Sequence, residues 1–503
     1  METAHLAYVL LFLVTAVLLF HLRRGGRSAP AKLTTAHRPH PNPVLGNTVE
    51  FIRNRRRFFD WYTDLLRASP SGAIEAWGPF GAGHAVTTAC PAAVEHLLRG
   101  NFGNYVRGAS FRAAMSELIG DGLFAADGRL WSVQRKVASY AFSSRALRRF
   151  SDDVLAVHLR GGLLPFLDAA AASGEAVDLQ DALRRFAFDS ICHVAFGVES
   201  STLLETARED SGRHEALFAA FDAAVEISFR RALAPFTLVR KLTGLVNVGS
   251  SRRLREAIGV IDDYAMSVVE SKEAACRDRD SEDVDPDLLS RFMAAMDEED
   301  GGEPGRHDTT SSALTWLFWL LAANPRCERR VRDEVSRSPD GDGGGDAKGM
   351  HTHYLHAAIT EAMRLYPPVP FNGRVAVGDD VLPGGAAVRA GWFANYSAYA
   401  MGRMERLWGE GCLEFSPERW LRDGGEFVAV DAARYPVFHA GPRACLGKEM
   451  AYVQMKTVAA AVLRRFSVEV AAPAPAMESP PAYEMTATMK MKGGLWVRLR
   501  KRE

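Results

Sequence analysis

The chain has 503 residues, and its 61 Lys and Arg residues are balanced by 61 Asp and Glu residues. This neutral sum argues against a nucleic-acid-binding protein, which needs a basic face to offset phosphate charge. It also argues against a disordered chain that is swollen by charge repulsion. The six cysteines form no Cys-x-x-Cys pair, which is typical of a reducing, cytosol-facing protein rather than a secreted disulfide framework.

The amino terminus carries an apolar run. It extends from Leu6 to Phe20 and is interrupted only by Thr15, and beyond His21 it can be continued to Leu22. Arginines follow directly at 23, 24 and 27. This length is at the short end of the roughly 17–25 residues that span a bilayer core. Because the basic cluster comes after the apolar run, the segment resembles an uncleaved anchor more than a secretory signal. We therefore expect residues 1–24 to be a transmembrane anchor, with the body facing the cytosol.

Residues 25–47 form a basic, proline-rich segment. Proline stands at every second position of the stretch from Arg38 to Pro43. This spacing excludes a helix and favours a stiff, extended connection. The segment is predicted to be a hinge between the anchor and the body, although a plain spacer would look the same.

Residues 48–503 are predicted to be one large domain, mainly α with a minor β region (α+β). Apolar residues recur at three- and four-residue spacing, which indicates helices. The predicted helices are Ala146–Phe150, Val154–Leu167, Leu183–Phe196, Glu215–Phe229 and Arg253–Glu270. The predicted strands are Ala73–Trp77, Ala85–Thr87, Gly373–Val377 and a C-terminal pair near Glu484–Lys490 and Leu495–Leu499.

The most specific feature of the sequence is the segment from Phe438 to Gly447. Its glycines permit a tight turn, and a helix is predicted to begin at Leu446. Cys445 would then lie at a helix N-terminus, where amide donors and nearby Arg443 favour a thiolate. The alternative for an isolated thiol is a buried structural cysteine.

The spacing of Phe438, Gly441, Arg443, Cys445 and Gly447 resembles the haem-binding loop of the cytochrome P450 monooxygenases at all five of its fixed positions. The resemblance implies that Cys445 is the axial thiolate ligand of a haem b iron. It also implies that Phe438 and Arg443 help to bind the haem.

Other landmarks of that family occur in the same order along the chain. Glu361 and Arg364 resemble its Glu-x-x-Arg pair, and Arg419 would complete a buried charged trio with a structural role. Trp131 and Arg135 resemble the Trp-x-x-x-Arg element, which implies a contact with a haem propionate.

The central helix of the family departs from its usual pattern here. Asp308 and Thr309 match the oxygen-handling motif, and the resemblance implies that Thr309 hydrogen-bonds the oxygen while Asp308 helps to deliver protons. Arg306 stands where the family has a glycine, and Pro304 with the acidic residues before it cannot belong to a helix interior. The helix is therefore expected to start no earlier than about Gly305 and to lack its leading half.

Several segments resemble the plant fatty-acid omega-hydroxylase group, whose relatives act on jasmonoyl–amino-acid conjugates or steroid side chains. These segments are Asn104–Gly108, Gly122–Gly128, Tyr399–Glu405 and Gly447–Met450. The resemblance implies hydroxylation of a terminal carbon in a fatty-acid-like or lipid-derived substrate. The segments Val369–Asn372 and Met485–Ala487 are expected on the substrate side.

The sequence contains no Gly-x-Gly-x-x-Gly nucleotide fingerprint, so electrons from NADPH must come through a separate membrane NADPH–cytochrome P450 reductase. The resemblance places the chain in the endoplasmic reticulum membrane. Two alternatives stay open. One is a membrane-anchored haem protein with impaired catalysis, and the other is a zinc protein that uses His351, His353 and His356.

Overall fold

The computed structural model describes residues 36–39, 41–42, 44–140, 142, 150–197, 202–203, 211–233, 249–277, 308–337, 352–471 and 480–502. The described chain is mostly helical with small sheets, which confirms the predicted fold class. The predicted anchor and the segment 278–307 lie outside these residues. Within the described ranges, no helix is both long and apolar enough to cross a membrane.

The α-helices are, in chain order, α1 Thr48–Arg53, α2 Phe58–Ala68, α3 Pro91–Glu95, α4 Ala109–Ile119, α5 Gly128–Tyr140, α6 Ala156–His158, α7 Leu164–Ser173, α8 Leu179–Phe196, α9 Ser211–Leu233, α10 Ser250–Arg277, α11 Asp308–Ala323, α12 Pro325–Arg337, α13 His353–Leu365, α14 Ala398–Met401, α15 Glu405–Trp408 and α16 Lys448–Arg465. The strands are β1 Ala73–Ala76, β2 Ala85–Thr88, β3 Tyr105–Val106, β4 Val177–Asp178, β5 Asn372–Ala376, β6 Asp380–Leu382, β7 Ala386–Val388, β8 Phe393–Tyr396, β9 Phe466–Val470, β10 Tyr483–Met485, β11 Met489–Met491 and β12 Trp496–Lys501.

Most predicted helices are present with longer bounds, but the one predicted at Val154–Leu167 is irregular. Two π-helical turns, Phe150–Leu155 and Leu159–Leu163, flank α6. The second turn contains Gly161 and Gly162, which lower the preference for a regular α-helix. The predicted segment Ala146–Phe150 lies, apart from its last residue, outside the described residues.

The strand predicted near Glu484–Lys490 is two strands in the structure, whereas the one predicted near Leu495–Leu499 is present as β12. The stretch near Glu484–Lys490 forms a hairpin by itself, in which β10 pairs with β11. β12 instead pairs with β9 and β4, so that the end of the chain joins segments that are distant in sequence. Alternating polar and apolar residues predict a strand, but they do not identify its partner.

The chain divides into two compact units. The first consists of residues 1–106, 371–407 and 440–443. It contains a five-stranded sheet in the order β1-β2-β8-β5-β3, which is antiparallel except for the parallel pairing of β2 with β8. β6 and β7 form a separate hairpin, and the π-helical turn His96–Gly100 follows α3.

The second unit consists of residues 107–370, 408–439 and 444–503. Its core surrounds α11, which contacts α8, α13 and α16. From Ala313 to Leu321 every residue of α11 is buried. A helix that is apolar on all sides belongs in the centre of a helical layer, and this explains the position of α11 in the unit.

Candidate active site around Cys445

The loop before Cys445 is held by its own backbone. The Cys445 N–H donates to the Phe438 carbonyl oxygen at 2.8 Å. Between them, His439 has a φ of 59°, in the left-handed region that non-glycine residues rarely adopt. A left-handed residue at this point lets the chain reverse direction, so that the loop closes between Phe438 and Cys445.

The helix after the loop begins later than predicted. It starts at Lys448 rather than at Leu446, because Gly447 is a non-helical N-cap with φ −84° and ψ 15°. Cys445 therefore precedes the helix cap by two residues, and the nearest amide to its thiol is that of Gly447, which stabilises the thiolate. Met455, Val458 and Val462 are buried on the predicted apolar face.

The Cys445 thiol is exposed by surface area, although protein atoms surround it closely. This desolvation raises the pKa of the thiol, while the Gly447 amide, Arg135 and Lys448 act in the opposite direction. A coordinating metal ion deprotonates a thiol outright, so the raised pKa does not prevent ligation. The exposed surface gives a ligand access to the sulfur.

Arg135 lies beside the cysteine loop. A terminal nitrogen of its guanidinium donates a hydrogen bond to the Ala444 carbonyl oxygen, directly before Cys445. Its positive charge stabilises the Cys445 thiolate, and burial lowers the pKa of Arg135 itself. Trp131 is half-buried one turn earlier on α5. The structure therefore brings Arg135 to the loop within the second unit.

The first turn of α11 carries Asp308 and Thr309, and Thr309 is half-buried. The next turn is tied to the hairpin of β10 and β11, because Ser312 Oγ and Trp316 Nε1 both donate to the Met489 carbonyl at 2.8 Å. This arrangement fixes the position of the helix that presents Thr309. The Asp308 side chain and residues 301–307, including Arg306, lie outside the described residues.

Glu361, Arg364 and Arg419, the predicted charged trio, lie together in the structure. The side chains of Glu361 and Arg364 are completely buried. Arg364 Nε donates to Glu361 Oε2 at 2.7 Å, and Arg419 Nε lies 3.4 Å from Glu361 Oε1. Arg364 also donates to the carbonyl oxygens of Cys412 and Glu414. These bonds connect the fully buried side chains of Glu361 and Arg364 on α13 to the chain at 412–420, which fits a structural role.

The first unit contains two buried arginines. Arg443 is 9% exposed. Two residues before it, Gly441 has a φ of 66°, and its backbone lies so close to the Leu98 carbonyl oxygen that no Cβ would fit. Arg374 was not predicted as a site residue, and it is 2% exposed in β5. A buried guanidinium favours an anion nearby. No sequence pattern marks Arg374 as inward, because in β5 the polar Asn372 and Arg374 are buried while the apolar Val375 is less so.

The residues fit a haem better than a metal ion bound by the protein alone. The described residues contain no group of three or more His, Cys, Asp or Glu side chains that could hold an ion. A haem iron needs no such group, because the porphyrin supplies its equatorial ligands and the protein supplies the axial one. The Cys445 thiol, which is accessible and has Arg135 as a cationic neighbour, fits the ligand that a haem iron would require.

The histidines of the zinc alternative have other contacts. His353 Nδ1 accepts a hydrogen bond from the Phe427 N–H at 3.2 Å. His356 stacks on Tyr452 with ring centroids 4.2 Å apart, and burial lowers its pKa to about 3. His351 lies outside the described residues. The described pair therefore shows no arrangement for binding zinc.

Comparison with known proteins agrees with this geometry. The cytochrome P450 family model matches residues 37–493. Cytochrome P450 94A2 of Vicia sativa is 39% identical over 100% of this chain and 99% of its own length. Cytochrome P450 94B3 of Arabidopsis thaliana is 40% identical over 99% of each chain, and cytochrome P450 86B1 of the same plant is 36% identical over 88% of this chain and 82% of its own. The chain therefore belongs to the cytochrome P450 family of haem-thiolate monooxygenases, which take electrons from NADPH through a reductase.

Proposed function

We propose that this monooxygenase hydroxylates the terminal carbon of a fatty-acid-like or lipid-derived substrate, with Cys445 as the haem ligand. The observation that carries the proposal is the accessible Cys445 thiol in its closed loop, in a chain with relatives of about 40% identity along its whole length. A thiolate-bound haem supplies the activation of dioxygen when it is present. The protein residues contribute the position and charge of the ligand and the surroundings of the substrate.

Thr309 and Arg135 have distinct roles in this proposal. The half-buried Thr309 hydroxyl can both donate and accept a hydrogen bond, so it can pass a proton inward from the start of α11. Arg135 holds the Ala444 carbonyl and favours the thiolate at Cys445. Neither residue forms a bond to the substrate.

An apolar substrate is supported by the hairpin of β10 and β11. Thr486 and Ala487, at its turn, are buried at 8% and 3% exposure. Thr486 Oγ1 donates to the Thr488 carbonyl at 2.6 Å, so its polar atom is satisfied within the turn. The Met489 N–H donates to the Pro368 carbonyl, which fixes the hairpin beside the segment that contains Val369. A turn of this kind offers mainly methyl groups to a ligand, as an alkyl chain requires.

The proposal is tested with purified full-length protein, NADPH and a plant reductase in lipid vesicles. Saturated fatty acids, jasmonoyl–amino-acid conjugates and sterols are supplied separately, and products are identified by mass spectrometry. We expect terminal hydroxylation of a fatty acid. A Cys445→Ser variant should lose both the thiolate-type band of the reduced carbonyl complex and the product, whereas Cys90→Ser should keep both. Product formed only from a conjugate or a sterol would overturn the fatty-acid assignment.

Impaired catalysis is the second candidate, and it is based on the sequence at 297–307. These residues lie outside the described ranges, and within the described ranges no observation favours the loss of activity. A reduced-carbonyl band without any oxidised product from the three substrate classes would support this candidate.

We also propose that the chain is anchored in the endoplasmic reticulum membrane and receives electrons from a membrane-bound reductase. The apolar run at 6–22 supports the anchor, and exposed Arg55, Arg56 and Arg57 after α1 suit an anionic lipid surface. In plant cells, a fluorescent fusion should follow the endoplasmic reticulum network, and deletion of residues 1–24 should release it. An unchanged network pattern after deletion would contradict the anchor.

A further inference from the structure

Asp380 is the centre of a partly buried hydrogen-bond cluster in the first unit. Its Oδ2 atom accepts hydrogen bonds from His96 Nε2 at 2.8 Å, Asn101 Nδ2 at 2.9 Å and Tyr105 OH at 2.7 Å. Its Oδ1 atom accepts the Val381 N–H at 2.8 Å. The four donors therefore engage both oxygens of the carboxylate, three of them at Oδ2. Because a carboxylate only accepts, His96 must carry its proton on Nε2.

The carboxylate stays ionised at neutral pH. Burial alone would raise its pKa, but the donors from His96, Tyr105 and Asn101 outweigh burial and hold the pKa of Asp380 at about 2. The Asp380 side chain is 17% exposed and that of His96 is 27% exposed. A charged acceptor makes each of these hydrogen bonds stronger than a neutral one would be.

Three of the four donors, His96, Asn101 and Tyr105, belong to residues 96–105, and this segment begins with an unusual backbone. His96 begins the π-helical turn His96–Gly100, and Asn101 closes it with an N–H bond to the His96 carbonyl at 2.8 Å. A π turn has poorer geometry than an α turn and persists where other contacts impose it. Asp380 holds both ends of the turn, through His96 and Asn101, and therefore imposes its shape.

The same turn supports the loop before the cysteine. The Leu98 carbonyl, in the middle of the turn, lies against the backbone of Gly441, and a Cβ at Gly441 would overlap it. Because the Leu98 carbonyl oxygen and Gly441 are in contact, a change in the conformation of the turn His96–Gly100 displaces Gly441 as well. Four residues later the chain reaches Cys445.

We infer that Asp380 is a positioning residue for the Cys445 loop, acting through the turn His96–Gly100 and its backbone contact with Gly441. Asp380 lies 65 residues before Cys445 in the sequence and touches neither the cysteine nor a substrate. The inference rests on the proposed role of Cys445 as the haem ligand. It extends that role by naming the acidic residue that sets the ligand loop.

The test compares Asp380→Asn with Asp379→Asn in the full-length holoprotein. Asp379 is the adjacent exposed carboxylate, and it accepts the Ala390 N–H at 2.8 Å. An asparagine at 380 would direct an N–H₂ group at one or more of the present donors, so the cluster cannot be satisfied. The readouts are the share of the thiolate-type band in the reduced carbonyl complex and the midpoint reduction potential of the bound haem.

We expect Asp380→Asn to lower the thiolate-type share roughly twofold, less than the roughly tenfold or greater loss caused by removing a direct partner of a metal ligand. The potential should shift as well, and Asp379→Asn should match the wild type in both readouts. If Asp380→Asn does not fold or retain haem, Tyr105→Phe decides the question, because it removes a single hydroxyl and keeps the ring. The inference is overturned if Asp380→Asn, or Tyr105→Phe in its place, folds with haem and shows the wild-type band share and the wild-type potential. Absence of a thiolate-type band from the wild type itself would instead reject the proposed function.

Discussion

The indole N–H of Trp420 donates to Glu361 Oε2 at 2.8 Å, and both side chains are almost completely buried. The same carboxylate receives two bonds from Arg364 and the backbone N–H of Ser416. A buried anion at the centre of so many donors is stable only while all of them remain.

Replacing this carboxylate should therefore destabilise the second unit strongly. We expect Glu361→Gln to lower the free energy of unfolding by about 3–5 kcal/mol, because the charge of Arg364 is left buried without its anion. Thermal unfolding followed by circular dichroism and by haem absorbance measures the effect. Glu226→Gln, which breaks an exposed pair with Arg230, should leave the midpoint unchanged. A small effect at Glu361 would show that the trio is not needed for folding.

Replacing Arg135 should change the pH dependence of the thiolate. Its charge lowers the pKa of Cys445, so Arg135→Gln raises that pKa. A thiolate with a higher pKa is protonated earlier as pH falls, and the thiolate-type reduced carbonyl band should therefore be lost at a higher pH than in the wild type. Spectra recorded across a pH series measure this shift. The exposed neighbour Lys136 provides the control, and a Lys136→Gln variant should follow the wild-type curve.

Half-buried His356 should make the protein less stable in mild acid. Burial lowers its folded-state pKa from 6.5 to about 3, so the unfolded chain binds an extra proton between these values. Its contribution to stability is complete above pH 6.5 and falls as pH decreases toward 3. When the pH is lowered from about 7.5 to about 5.5, the free energy of unfolding should fall by about 1 kcal/mol because of this histidine.

His356→Phe should remove that part of the pH dependence and keep the ring contacts with Tyr452 and Phe427. Denaturant unfolding at the two pH values measures the difference. His37→Gln, at an exposed position, should retain the wild-type dependence. An unaltered loss in His356→Phe would assign the acid sensitivity to other groups.

Thr309 should affect turnover without affecting haem binding. Thr309→Val keeps the shape of the side chain and removes the hydroxyl, and we expect product formation to fall roughly 100-fold, as for other proton-transfer groups. The reduced-carbonyl band should remain normal. Thr310→Val is the matched control, since Thr310 is also half-buried but lies about a quarter-turn away on α11. Equal losses in both variants would indicate a general disturbance of the helix.

The Cys445 loop and the pair Glu361 and Arg364 of the charged trio could be predicted from the sequence, because their residues lie in short segments with fixed spacing. Glu361 and Arg364 are three apart on one helix, and Phe438 and Cys445 are joined by a hydrogen bond within one turn. Local geometry of this kind depends mainly on the residues in the segment itself. The start of α16 was placed two residues too early, because the N-cap conformation of Gly447 has no distinct sequence signal.

Contacts between distant segments were not accessible in the same way. The Asp380 cluster joins residues 275 to 284 positions apart, and β12 pairs with β4 across more than 300 residues. Neither spacing nor alternation of polarity selects a partner at such a distance.

By itself, the sequence determined the helical class of the chain, the residues of the cysteine loop and the resemblance to the haem-thiolate monooxygenases. The balance of 61 basic and 61 acidic residues argued against a nucleic-acid-binding protein. Only the tertiary structure decided that the Cys445 thiol is accessible, that Arg374 is a buried cation and that Asp380 accepts hydrogen bonds from His96 and Asn101. The reason is physical: local conformation follows from neighbouring residues, whereas burial and long-range hydrogen bonds exist only after distant segments have come together.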